Sequence, residues 1–248
     1  MPQPEHQADG LIRLFQTDTQ PPCILSLLAA SRSEDSGLLA LALAGALPSV
    51  CLVQTGHSRL SALLGCRILR SWQPGLDPDA QIITVQGYHL LHAPESQAGD
   101  AEVIAALSRC KRYSHIVFDG GEFSPVAAPL DPHTRQTLLV SVHQLNMESG
   151  YALLKGLRLA NSEAEVLLIG TGAERLAQLY SSLLGVDGLD CKMTVSVCQN
   201  SNTNAETSSN TLTTSSNLSW IVSRIQAKNH KRVANGGIGK STQQIGQG

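Results

Sequence analysis

The stretch from Ile24 to Gly65 constrains this chain most, because it packs strand, turn, helix and strand into about forty residues. Ile24-Leu25-Ser26-Leu27-Leu28-Ala29 is a continuous apolar run of the kind buried on both faces of a parallel sheet. Ser31 through Gly37 is a polar turn, Leu38 to Leu47 a strongly apolar helical segment, and Val50-Cys51-Leu52-Val53 a second strand. Two parallel strands need such a crossover between them, so the segment commits the chain to an α/β architecture.

In many units of this layout the first turn cradles a nucleotide on the helix N-terminus. A working P-loop needs glycines that expose backbone N–H groups, a Lys on the terminal phosphates and a Ser/Thr hydroxyl on Mg²⁺. Here the Lys position falls on Ser36 and the hydroxyl position on Gly37, while Glu34 and Asp35 stand where a polyphosphate would lie. Arg32 and Ser33 supply the remaining polar groups of the turn. The frame is present without its phosphate chemistry.

Four regions follow from composition. Residues 1–20 are polar and Pro/Gln-rich, and are expected to be a flexible segment. Residues 21–198 alternate strands and helices in one α/β domain. Strands are expected at 24–29, 50–54, 81–85, 88–92, 115–119, 137–143, 165–170 and 192–198. Helices are expected at 37–47, 58–64, 99–111, 148–160 and 173–184. This pattern implies a doubly wound, mostly parallel sheet covered on both faces. Gln86-Gly87 between two short strands suggests a hairpin. Residues 199–217 are nearly all Asn, Ser and Thr and cannot bury enough surface to offset chain entropy, so they read as a disordered linker. Residues 218–248 form a basic, Gly-rich tail.

With 248 residues and a 42% apolar fraction the chain can build a sizeable core, and a net charge of −2 gives no reason to expect nucleic acid as a partner. Six cysteines without a CxxC pair point to reduced core thiols, neither a disulfide frame nor a metal site. No signal-like N-terminus and no apolar run of about 18 residues occurs, so a cytoplasmic location is expected. The histidines are scattered, no serine has a nucleophile-elbow context, and Gly170-Thr171-Gly172 reads as an ordinary strand-to-helix turn.

Beyond this frame the chain resembles the MinD/ParA-type P-loop ATPases, and among them the FlhG/FleN-like branch that places flagella. The resemblance runs over roughly residues 22–190. Val50 to Gly65 keeps the frame of the family's second strand and Leu-Leu-Gly segment, with Gln54 and Gly56 in place of its acidic residues. Gly87 to Pro94 is similar to the strand that leads to a Pro/Ala turn. His115-Ile116-Val117-Phe118-Asp119-Gly120-Gly121 is similar to the Walker B strand, and Asn146 to Lys155 resembles a segment of the flagellar branch. Of the machinery the resemblance implies for Mg·ATP, only Asp119 stays in register. It therefore implies a degenerate ATPase that uses no cofactor. Its expected role is a placement, assembly or regulatory partner of a bacterial surface machine: the flagellum first, then pilus, secretion or exopolysaccharide systems. A paralogous ATPase is a second expected partner. The vestigial nucleotide face would comprise Arg32, Ser33, Ser36, Gly37 and Asp119.

Two features of the tail stay open at this level. Gly237, Gly239, Lys240 and Ser241 lie in a Gly-Gly-Ile-Gly-Lys-Ser-Thr run that imitates a P-loop without its strand and helix, so a divergent ATPase using Lys240 is the alternative reading. Leu218, Ile221, Val222 and Ile225 share one face of a helical wheel. Together with Trp220, Arg224 and Lys228 they are a candidate contact to a partner or, peripherally, to the inner membrane.

Overall fold

A computed structural model describes residues 21–30, 36–56, 58–66, 70–96, 100–122, 136–160, 165–187, 194–197 and 218–227. Among these residues eight strands make one sheet: β1 (Cys23–Ala29), β2 (Val50–Gln54), β3 (Ile83–Val85), β4 (Tyr88–His92), β5 (His115–Glu122), β6 (Gln136–Ser141), β7 (Glu165–Ile169) and β8 (Thr194–Val197). Their order is β3-β4-β2-β5-β1-β6-β7-β8, and every neighbouring pair is parallel except β3 with β4. The helices are α1 (Ser36–Ala46), α2 (Leu60–Leu63), α3 (Pro78–Gln81), α4 (Ala101–Arg109), α5 (Met147–Ala160), α6 (Ala173–Asp187) and α7 (218–227). The doubly wound, mostly parallel sheet read from the sequence is the sheet observed.

Alternation along the central strands builds two cores. Ile24 and Leu28 of β1, with Ile116 and Phe118 of β5, face Val103, Leu107, Leu154, Leu157 and Leu176 from α4, α5 and α6. Leu25, Leu27 and Val117 face Leu39, Ala40 and Leu43 of α1. The same face continues over β6 and β7, where Leu139, Leu167 and Ile169 meet Ile221 and Ile225 of α7. A parallel sheet needs cover on both faces. The helix of residues 218–227 supplies it where α1 does not reach.

That packing corrects the sequence expectation for the tail. Ile221 and Ile225 are fully buried in the chain's own core, and Leu218, Trp220 and Val222 pack at its margin. Arg224 lies 3.7 Å from Glu165 of β7, the strand α7 covers. Ile221 and Ile225 are thus satisfied within the domain's own core. The remaining tail position of that set, Lys228, falls outside the described residues, as do Gly237, Gly239, Lys240 and Ser241.

Several element bounds also change. The strand expected over 81–85 shortens to Ile83–Val85, because Pro78–Gln81 is a helical turn with Asp77 as its N-cap, accepting from the Asp79 N–H at 3.1 Å. The helix expected over 58–64 contracts to Leu60–Leu63. The strand expected over 115–119 runs on to Glu122. The hairpin at Gln86-Gly87 forms as read, with φ of 51° and 85°, the positive pair a two-residue turn of type I′ requires.

Candidate functional site

In a sheet of this topology the crevice lies beyond the carboxyl ends of the strands, where successive connections turn to opposite sides. In the sheet order β2 lies on one side of β1 and β6 on the other. The carboxyl ends of β1, β2 and β5 therefore frame the site, and Asp119 stands between them, level with Leu27 of β1 and Gln54 of β2.

Asp119 is completely buried. A buried carboxylate needs donors, because leaving it unpaired costs several kcal/mol. Ser36 Oγ donates to its Oδ1 at 2.5 Å, Ser58 Oγ donates to its Oδ2 at 2.6 Å, and the Gly121 N–H donates to Oδ1 at 3.2 Å. The third donor depends on an irregularity in β5. Between Leu27 and Ala29 the β1–β5 register slips, and Gly121 takes φ of 60°. That conformation is cheap only for glycine and turns its N–H back on the carboxylate.

The neighbours bind the same corner together. Thr55 Oγ1 donates to the Asp119 main-chain carbonyl at 3.0 Å. Ser58 Oγ, while donating to Asp119, accepts from the Leu60 N–H at 3.1 Å and so orders the start of α2. Gln54, buried at the end of β2, accepts from the Ser61 N–H at 3.0 Å and donates to Ser61 Oγ at 3.0 Å. A position that carries a carboxylate in the resembled family is here an amide that ties strand to helix. Gly56, at the other acidic position, has no room for a side chain: a Cβ there would sit 2.7 Å from the Pro94 carbonyl oxygen.

The structure brings together Ser36, Gly37 and Asp119 of the sequence-derived face, with Ser36 and Gly37 buried at the first turn of α1. Arg32 and Ser33 lie outside the described residues. Ser36 stands at the position counted as lysine, and its hydroxyl engages the strand-end carboxylate directly. Thr55, Ser58 and Ser61 belong to the site and carried no role in the sequence reading. Their only signal was three hydroxyls within seven residues after a strand, spanning the head of a helix at Leu60.

Mg²⁺ requires near-ideal octahedral oxygen ligation, with carboxylates and phosphates supplementing water. Among the described residues, both Asp119 oxygens accept hydrogen bonds, Gln54 is an amide engaged with Ser61, and Gly56 cannot take a carboxylate in this backbone. Among the described residues no three His, Cys, Asp or Glu side chains gather as a metal site. Among them, too, no helix is long and apolar enough to cross a membrane.

No protein-family model and no curated protein matches the sequence. Solved structures do match. A plasmid partition protein from Borrelia burgdorferi is 14% identical with a TM-score of 0.51, the match covering 83% of this chain and 100% of that one. A ParA family ATPase from Chlorobium tepidum TLS is 13% identical over 71% of this chain and 83% of its own, with a TM-score of 0.49. The MinD cell division protein of Aquifex aeolicus is 12% identical over 71% and 81%, with a TM-score of 0.46. The fold is similar to that of the plasmid partition protein. At identities this low the likeness reaches the fold alone; the chemistry rests on the site.

Proposed function

We propose that this protein is a non-hydrolysing MinD/ParA-like protein that acts as a placement, assembly or regulatory partner of a bacterial surface machine. The flagellum comes first, followed by pilus, secretion and exopolysaccharide systems. One observation carries the reading: the Asp119 carboxylate is held by Ser36, Ser58 and the Gly121 N–H. An ATPase of this fold presents its strand-end carboxylate to Mg²⁺ and an attacking water, and a P-loop lysine to phosphate. Here hydroxyls hold the carboxylate, and the turn from Ser31 to Gly37 contains no lysine. The sequence resemblance to the flagellar branch, centred on Asn146 to Lys155, supports the choice of machine.

The partner is a protein component of that machine or a paralogous ATPase, met at the face around Ser36 and Asp119. The cellular test compares a deletion strain with strains complemented by the wild-type chain or by Lys240→Ala. Altered number or position of flagella, or loss of another surface structure, restored equally by both chains, is the expected result. A deletion that leaves every such structure intact contradicts the proposal, and rescue by wild type alone would give the tail lysine a function.

A further inference from the structure

A second polar constellation lies at the opposite, amino-terminal edge of the sheet. A cavity of about 330 Å³ opens between the start of β2, the β3–β4 hairpin and the residues that lead into β5. That volume is at the lower end of small-molecule sites. Leu47, Val50 and Leu52 give it an apolar floor, and His89, Arg112 and Tyr113 form its polar wall.

The wall is internally ordered. Arg112 Nη2 lies 3.5 Å from His89 Nε2, and a guanidinium can only donate, so Nε2 is the acceptor. The imidazole proton is then on Nδ1 and donates to Tyr113 Oη at 3.0 Å. The two rings meet edge to face, and the Arg112 guanidinium sits 5.7 Å from the Tyr113 ring centre. In this arrangement Tyr113, itself buried, keeps a hydroxyl proton that no described residue accepts. Burial, with Cys51 nearby, pushes its phenol well above the ordinary value, so the proton stays on oxygen as a donor.

Charge and backbone agree. Asp79 is near enough to act on Tyr113, yet no carboxylate among the described residues pairs with Arg112. Three non-glycine residues among those described have positive φ: Ser49, Gln86 and Lys111. All three border this cavity, Ser49 lining it and the others adjoining Gly87 and Arg112. The hairpin accounts for Gln86. The end of α4 accounts for Lys111, which follows the C-cap Cys110, while Ser49 holds a conformation that costs on the order of 1 kcal/mol or more, of the kind that gathers at ligand sites.

We propose that this cavity binds a small organic anion, a carboxylate or phosphomonoester with a compact apolar body. Arg112 forks the anionic group, Tyr113 Oη donates to it, and the body rests on Leu47, Val50 and Leu52. The site is independent of Asp119, so the fate of the nucleotide reading does not decide it.

The test titrates the full chain with benzoate, with phenyl phosphate and with neutral benzyl alcohol, by ligand-observed NMR. Saturable binding of at least one anion, absent for the alcohol, is expected. Arg112→Gln should weaken it about tenfold or more, and Tyr113→Phe by a smaller factor. Preference for benzoate assigns the carboxylate class, and preference for phenyl phosphate the phosphate class. Arg112 is exposed, so its variant should keep the wild-type circular dichroism and melting temperature. In the wild type, the His89 ring-nitrogen shifts should move with anion and stay still with alcohol. No saturation by either anion, or equal binding to Arg112→Gln, overturns the proposal.

Discussion

Asp119 links the sheet to two helices through side-chain hydroxyls, so its loss is first a loss of stability. Asp119→Ala leaves Ser36 and Ser58 without their acceptor in a buried corner. It should lower unfolding free energy by about 1–3 kcal/mol in urea, and Ser58→Ala by about 1 kcal/mol. A residue kept only for catalysis would show no such cost. Gly56→Asp would push a side chain onto the Pro94 carbonyl and should destabilise by about 1–3 kcal/mol, without creating a Mg²⁺ site. His115 gives the pH dependence its sign. It is buried, and although it donates from Nδ1 to the Pro48 carbonyl at 3.0 Å, burial lowers its pKa below the ordinary value. The unfolded chain then binds the proton more readily. Stability is full above about pH 6.5 and declines as pH falls toward the folded value. The urea midpoint should drop between about pH 7.5 and pH 5.5, and His115→Gln should remove part of that slope.

At the scale of the element, α7 is the instructive case. The shared face of Leu218, Ile221, Val222 and Ile225 was legible at the period of a helix, but periodicity does not say what a face meets. A membrane, a partner and the chain's own sheet ask for the same apolar stripe. The answer lay in the open half of the sheet over β6 and β7, where Leu139, Leu167 and Ile169 need cover. Ile221→Ala should therefore cost about 2–4 kcal/mol in urea, whereas a surface anchor would tolerate it. Arg224→Ala, on a half-exposed ion pair, should change stability by less than about 1 kcal/mol. The contraction of the strand expected over 81–85 has a comparable cause. Asp77-Pro78, just ahead of that segment, starts a helical turn that runs into it as far as Gln81.

For the molecule as a whole, the doubly wound sheet was legible because long apolar runs such as Ile24–Ala29 and Ile116–Phe118 must be buried on both sides. The strand order was not, since it depends on contacts remote in sequence. The site was half legible. Asp119 at a strand end and the missing lysine could be read directly. The donors to Asp119 could not, because Ser36 and Ser58 stand 83 and 61 residues away in the chain. The central proposal is that this chain keeps its carboxylate tied to its own hydroxyls and carries out no nucleotide chemistry. Because α7 completes the core, the measurement uses the full chain: calorimetric titration with Mg·ATP of the wild type, Lys240→Ala and Asp119→Asn. No saturable heat from any of the three, up to high micromolar nucleotide, is the predicted result. Saturable heat in the wild type that Asp119→Asn abolishes, while its fold is retained, would contradict the account.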